Sequence, residues 1–156
     1  MKIYLVYFSN NVGGACQSFL ALKKMMDEEN IENEVLCPTG QILSPDFTLP
    51  KSKIISFFIV LMFIFKIRLS QRDKKSFFIF NTVVLAPLAV LDNTALWVHE
   101  VTLDGHHRLF KFLQGFTNRF VVNIYSVNNI MKNWFPSASL LEIPYKHLNN
   151  ISRNEK

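Results

Sequence analysis

Cysteine is scarce in this chain, and its placement excludes two chemistries. Cys16 and Cys37 are the only two among 156 residues, and they form neither a CxxC pair nor a metal-ligand spacing. Disulfide scaffolds and zinc modules are thereby disfavoured, and a reducing compartment is expected. No export signal is expected: Lys2 precedes only six apolar residues before Ser9-Asn10-Asn11, which is too short for a signal core. No apolar run reaches the roughly 20 residues of a membrane span. Glycine occurs five times but never as GxGxxG. The short strand before Pro38 ends in Cys37 rather than in the acidic residue that holds a ribose, so NAD binding is not expected. No internal repeat and no low-complexity tract is present.

What is present suits a folded domain. Apolar residues make up 49% of the chain and charged residues 19%, and a chain of this length buries roughly 70% of its unfolded surface. The net charge of +5 is concentrated in one place. Between Pro50 and Ser76 lie Lys51, Lys53, Lys66, Arg68, Arg72, Lys74 and Lys75 against the single Asp73, leaving the remainder nearly neutral. These cations flank the most apolar stretch of the protein. They neither line a polar helix face nor alternate with stacking aromatics, so nucleic acid is not an expected partner. A basic rim around apolar residues fits an anionic membrane surface, contacted through residues 51–75.

The pattern along the chain alternates strand and helix. Ile3–Phe8 reads as a strand covered on both faces, Gln17–Glu29 as a helix, and Glu34–Cys37 as a short strand. Gln41–Lys51, with Pro45 and Pro50, reads as loop. Ser52–Leu69 reads as helix by its length. Phe77–Asn81 and Ala95–His99 read as strands on either side of a short helix at Val84–Leu91. His106–Phe116 reads as helix, Arg119–Asn123 as strand, Val127–Trp134 as a short helix and Leu140–Ile143 as a sixth strand. This alternation predicts an α/β fold: a Rossmann-like open parallel sheet of about six strands with helices on both faces.

Three places carry candidate chemistry. Gly13-Gly14, between the first strand and its helix, reads either as an anion- or sugar-binding loop or as a tight turn without a ligand. His99-Glu100 follows the apolar run Ala95–Val98, and open α/β sheets bind ligands at such strand ends. Ser126 follows the strand Arg119–Asn123; helix capping is its favoured reading, and it is also a candidate substrate contact. His106 and His107 are neighbours on a helix and point in different directions, so they do not chelate one metal, and no metal site is expected. Cys16, near a helix N-terminus, allows a Cys16/His99/Glu100 hydrolase, although a small buried cysteine is the preferred reading. Ile54–Leu69 reads as either a buried crossover helix or an interfacial membrane helix.

Met1-Lys2-Ile3, Gly13-Gly14-Ala15, Glu34-Val35-Leu36, Trp97-Val98-His99-Glu100, Tyr125-Ser126 and Ile143-Pro144, in this order and spacing, resemble the N-terminal domain of GT-B glycosyltransferases. The nearest group is retaining family 4. The resemblance covers residues 1–148, with 149–156 a polar tail. It implies an acceptor-binding half in which Gly13 and Gly14 lie against the phosphate and sugar of a nucleotide-sugar donor. It places His99, with Glu100 alongside, at the transferred sugar or acceptor. No cofactor or metal is implied. The acceptor is expected to be lipid-linked or a glycan, in bacterial surface polysaccharide synthesis at the cytoplasmic face of the membrane. After Ile143-Pro144 the family continues Asn-Gly-Val-Asp into a donor-binding domain, whereas this sequence continues Tyr145-Lys146-His147-Leu148. The donor-binding half is therefore expected to be absent, and the chain inactive alone. The alternative is a non-catalytic module that docks to a membrane or to a partner transferase through its Phe-rich helix.

Overall fold

The computed structural model describes residues 1–7, 14–38, 46–70, 76–98, 108–126 and 133–140. Its strands are β1 (Lys2–Val6), β2 (Asn33–Pro38), β3 (Phe47–Leu49), β4 (Ser76–Phe80), β5 (Thr94–Val98), β6 (Ile124–Ser126) and β7 (Ser139–Leu140). The helices are α1 (Gly14–Glu28), α2 (Lys53–Ser70) and α3 (Arg108–Phe120). The seven strands form an all-parallel sheet in the order β3-β2-β1-β4-β5-β6-β7. This is the Rossmann-like α/β architecture that the alternating pattern predicts, with the order reversing between β1 and β4. The chain divides into two compact units, one running through Phe78 and the other spanning Ile79–Glu142.

In the first unit, β1 contributes four consecutive buried residues, Ile3, Tyr4, Leu5 and Val6, as a strand covered on both faces requires. It pairs with β2 in the register Ile3↔Asn33 to Val6↔Leu36. Helix α1 buries Cys16, Phe19, Leu22 and Met26, one stripe at helical spacing. Its end is fixed by Asn30, which takes a left-handed φ of 55°. The Asn30 N–H donates to the Asp27 carbonyl and the Ile31 N–H to the Met26 carbonyl, the paired bonds of a Schellman motif.

Strand β3 is a correction to the loop expected over Gln41–Lys51. Asp46 sets its start: its carboxylate accepts the Val35 N–H at 2.7 Å, and its own N–H donates to the Val35 carbonyl at 2.9 Å. Phe47–Leu49 then pairs with Leu36–Pro38. A three-residue strand between prolines needs only one ladder, because it lies at the sheet edge.

Helix α2 buries Ser56, Val60 and Ile64 at four-residue intervals. The Ser56 hydroxyl donates to the Pro50 carbonyl at 2.7 Å, so the one polar group on that inner face is bonded. Phe63 packs edge-on against Tyr4 and tilted against Phe47, both at 5.5 Å between ring centroids. Tyr4 in turn stacks on Phe78 at 4.8 Å. Rings from β1, β3 and β4 thus form the shelf on which α2 lies.

In the second unit, β5 is buried at all five positions and pairs with β6, which pairs with β7. The Asn123 amide donates to the Thr94 carbonyl at 3.0 Å, and the Leu96 N–H donates to the Asn123 carbonyl at 2.9 Å. Helix α3 buries Leu113 and Thr117. Gln114 and Asn118 both donate to the Trp134 carbonyl. The strand expected at Arg119–Asn123 lies instead at Ile124–Ser126, because α3 continues to Phe120. The Val121 N–H, bonded to the Thr117 carbonyl, extends the same ladder. The helix expected at Val84–Leu91 is a 3-10 turn, Val83–Leu85, capped by Thr82, followed by further i→i−3 bonds up to Leu91. Pro87 has no N–H to sustain an α-helical ladder.

Candidate functional site

Each sequence-derived site residue follows or ends a strand in chain order. Gly13 lies outside the described residues, and Gly14 is the first residue of α1, in the connection that follows β1. His99 and Glu100 also lie outside the described residues; in the chain they directly follow Val98, the last residue of β5. His106 and His107, and most of the expected helix Val127–Trp134, lie outside the described residues as well. The geometry that can be stated therefore centres on Ser126.

Ser126 is the last residue of β6, paired with Leu140 on one side and Val98 on the other. It is fully buried, and its Oγ has no hydrogen-bond partner among the described residues. An N-cap hydroxyl accepts a backbone N–H from the following turn; residues 127–130, which would supply that N–H, lie outside the described residues. Leaving a buried hydroxyl unpaired costs about 1–3 kcal/mol, and such groups occur where a ligand or water is to be met. The sequence named the position; the missing partner has no sequence signal.

The thiols are placed for packing. Cys16 and Cys37 are both fully buried and not disulfide-bonded. Burial, then the neighbouring Cys16, then Asp46, push the Cys37 thiol up to about 11. A nucleophilic cysteine needs an exposed thiolate, so the burial of Cys16 removes support from the hydrolase reading.

One group of charged residues in the first unit lies at the amino ends of β1 and β2. Lys2 pairs with Glu34 and Glu32, and these partners raise its pKa, the Glu34 hydrogen bond most strongly, against an opposing contribution from burial. Asp27 accepts from Lys23 at 2.9 Å and from Asn33 at 2.7 Å; both bonds lower its pKa, the Lys23 contact most. The Asp27–Asn33 bond ties α1 to β2, and the Lys2–Glu34 pair ties β1 to β2. Among the described residues, no group of three His, Cys, Asp or Glu side chains converges to hold a metal ion. Among the same residues, no helix is long and apolar enough to cross a membrane.

Fold and topology define an α/β protein with a Rossmann-like parallel sheet. The chain matches no protein-family model, no curated protein and no solved structure.

Proposed function

We propose that this chain is the acceptor-side domain of a sugar-nucleotide-dependent glycosyltransferase of the GT-B kind. The observation that carries the reading is positional. In the chain Gly13-Gly14 follows β1 and His99-Glu100 follows β5, and Ser126 ends β6 with a buried hydroxyl that has no partner among the described residues. In open parallel sheets the carboxyl ends of the strands are where ligands bind. The glycine pair at the start of α1 lets backbone amides approach a donor phosphate or sugar. His99 acts at the transferred sugar or the acceptor hydroxyl, with Glu100 beside it. In transfer, the acceptor oxygen forms the new glycosidic bond, the bond from sugar to nucleoside diphosphate breaks, and the departing phosphate takes the hydroxyl proton. Holding the donor in attack geometry requires groups on its far side, which this reading assigns to a second domain outside these 156 residues.

The test is an amide NMR titration of the 156-residue chain with UDP, GDP and their glucose conjugates. Weak, millimolar binding is expected, with shifts at Gly13, Gly14, Ser126 and the neighbours of His99, and with no transfer by this chain alone. Shifts confined to other positions, a spectrum indifferent to every nucleotide, or micromolar affinity would overturn the reading. His99→Ala should remove the shifts while leaving the melting temperature unchanged; a large loss of stability would make His99 a core residue.

A further inference from the structure

Helix α2 is apolar on two faces, and only one of them is covered. Opposite the inner row of Ser56, Val60 and Ile64 lies a second row: Ile55, Phe58, Met62, Phe65 and Leu69, at alternating three- and four-residue steps, with Ile54 beside it. All six are exposed; Phe58 is 58%, Met62 68% and Leu69 74% accessible. Over a helix about 27 Å long, this matches or exceeds the roughly 300–600 Å² of the largest apolar patch on a typical monomer. From Ile54 to Phe65 the helix carries no charge, and its only polar side chain, Ser56, is buried and bonded.

Charge identifies what covers the row. Lys51 and Lys66 are exposed, and by helical periodicity Lys66 and Arg68 adjoin the row on opposite sides. No acidic residue occurs between Asp46 and Asp73. A second copy packed row to row would set these cations near one another with no acidic residue on α2 to compensate them. A protein helix would need polar groups to fix its register, and the outward face offers none. Among the described residues of α2 the charged side chains bordering this apolar row are all basic, and long basic side chains can lay their stems on apolar surface with the charge in water, as in a helix lying in a lipid interface.

We propose that the outward face of α2 docks on an anionic bilayer, with Phe58, Met62 and Phe65 at the acyl boundary and Lys51, Lys66 and Arg68 among the headgroup phosphates. The helix lies on the membrane and does not cross it.

Vesicle co-sedimentation tests this, using phosphatidylcholine alone and phosphatidylcholine with phosphatidylglycerol. The wild-type chain should sediment with the anionic vesicles, and added salt should release it, since exposed charges are screened beyond about 8–10 Å. Replacing Lys51, Lys66 and Arg68 together by Gln should weaken partitioning roughly a hundredfold, at about fivefold per cation. Replacing Phe58, Met62 and Phe65 together by Ser should abolish it, with unchanged circular dichroism. As an independent reading, Phe58→Trp should shift its emission to the blue on anionic vesicles only. Wild type left in the supernatant, equal sedimentation of wild type and either triple variant, or an unshifted Phe58→Trp spectrum would each overturn the proposal. So would sedimentation velocity showing a dimer lost in the Ser variant, or an acidic helical peptide that excludes the vesicles, because a protein would then own the row.

Discussion

Replacing Ser126 by alanine separates a ligand-facing hydroxyl from a helix cap. The side chain is fully buried, and its Oγ has no partner among the described residues. Removing it relieves the desolvation of one unpaired polar group, worth about 1–3 kcal/mol. Against this stands the small void left by one oxygen, a few tenths of a kcal/mol at roughly 24 cal/mol per Å³. The net expectation is stabilisation by about 1 kcal/mol, or roughly 2–4 °C in melting temperature for a chain of this size. Urea denaturation followed by circular dichroism measures it, with the midpoint rising at an unchanged slope. In the nucleotide titration, the same variant should bind more weakly although it is more stable. A melting temperature lowered by several degrees would mean that the hydroxyl has a bond in solution, as an N-cap has, where loss costs about 1 kcal/mol. Ser126 would then leave the candidate site.

Four further outcomes test the fold around it. Ile64→Ala, on the buried face of α2, should cost about 2–5 kcal/mol in urea denaturation, while Met62→Ala on the exposed face should stay within about 0.5 kcal/mol; equal costs would mean that the helix is turned. Thr94→Val should cost about 1–3 kcal/mol, because the Thr94 hydroxyl donates to the Ala89 carbonyl at 2.9 Å inside the core; an unchanged denaturation midpoint would refute the bond. Lys23 and Asn33 hold the Asp27 carboxyl below its ordinary range, so its contribution is complete above that range and is lost as pH falls through the lowered value. Asp27→Asn should therefore lower stability at pH 7 by about 0.5 kcal/mol, the pair being largely solvent-screened, and should flatten the acid limb of the stability profile; an acid limb identical to wild type would remove the pair from the account. Finally, with Cys37 pushed up to about 11 and both thiols buried, iodoacetamide at neutral pH should label neither cysteine until urea unfolds the chain, and rapid native labelling of Cys16 would reopen the hydrolase reading.

How much of this was legible in the sequence depends on how each element is buried. Strands β1 and β5 are short apolar runs buried on both faces, and β4 is an apolar run with its alternate residues half-buried; such runs are visible without a structure. Strand β3 was not visible, because three residues between prolines carry no period, and Asp46 supplies its register from a side chain rather than from a pattern. Strand β6 was displaced because the helical spacing Leu113–Thr117 runs on into Val121, and nothing in Arg119-Phe120 stops it. At the site, the apolar run before His99 was legible, whereas the sequence pattern ends the next strand at Asn123 and so places Ser126 after it rather than as its last residue. The lack of a partner for its Oγ among the described residues has no sequence signal. Helix α2 is the instructive case. A helix apolar all round offers periodicity no way to choose between a core role and an interfacial one. The choice is made in three dimensions, where Tyr4, Phe47 and Phe78 build a shelf that takes up Phe63 and the Ser56–Ile64 row. Once that shelf is filled, Phe58, Met62 and Phe65 stay exposed on the other side, so the two readings that competed for one segment come to rest on its opposite faces.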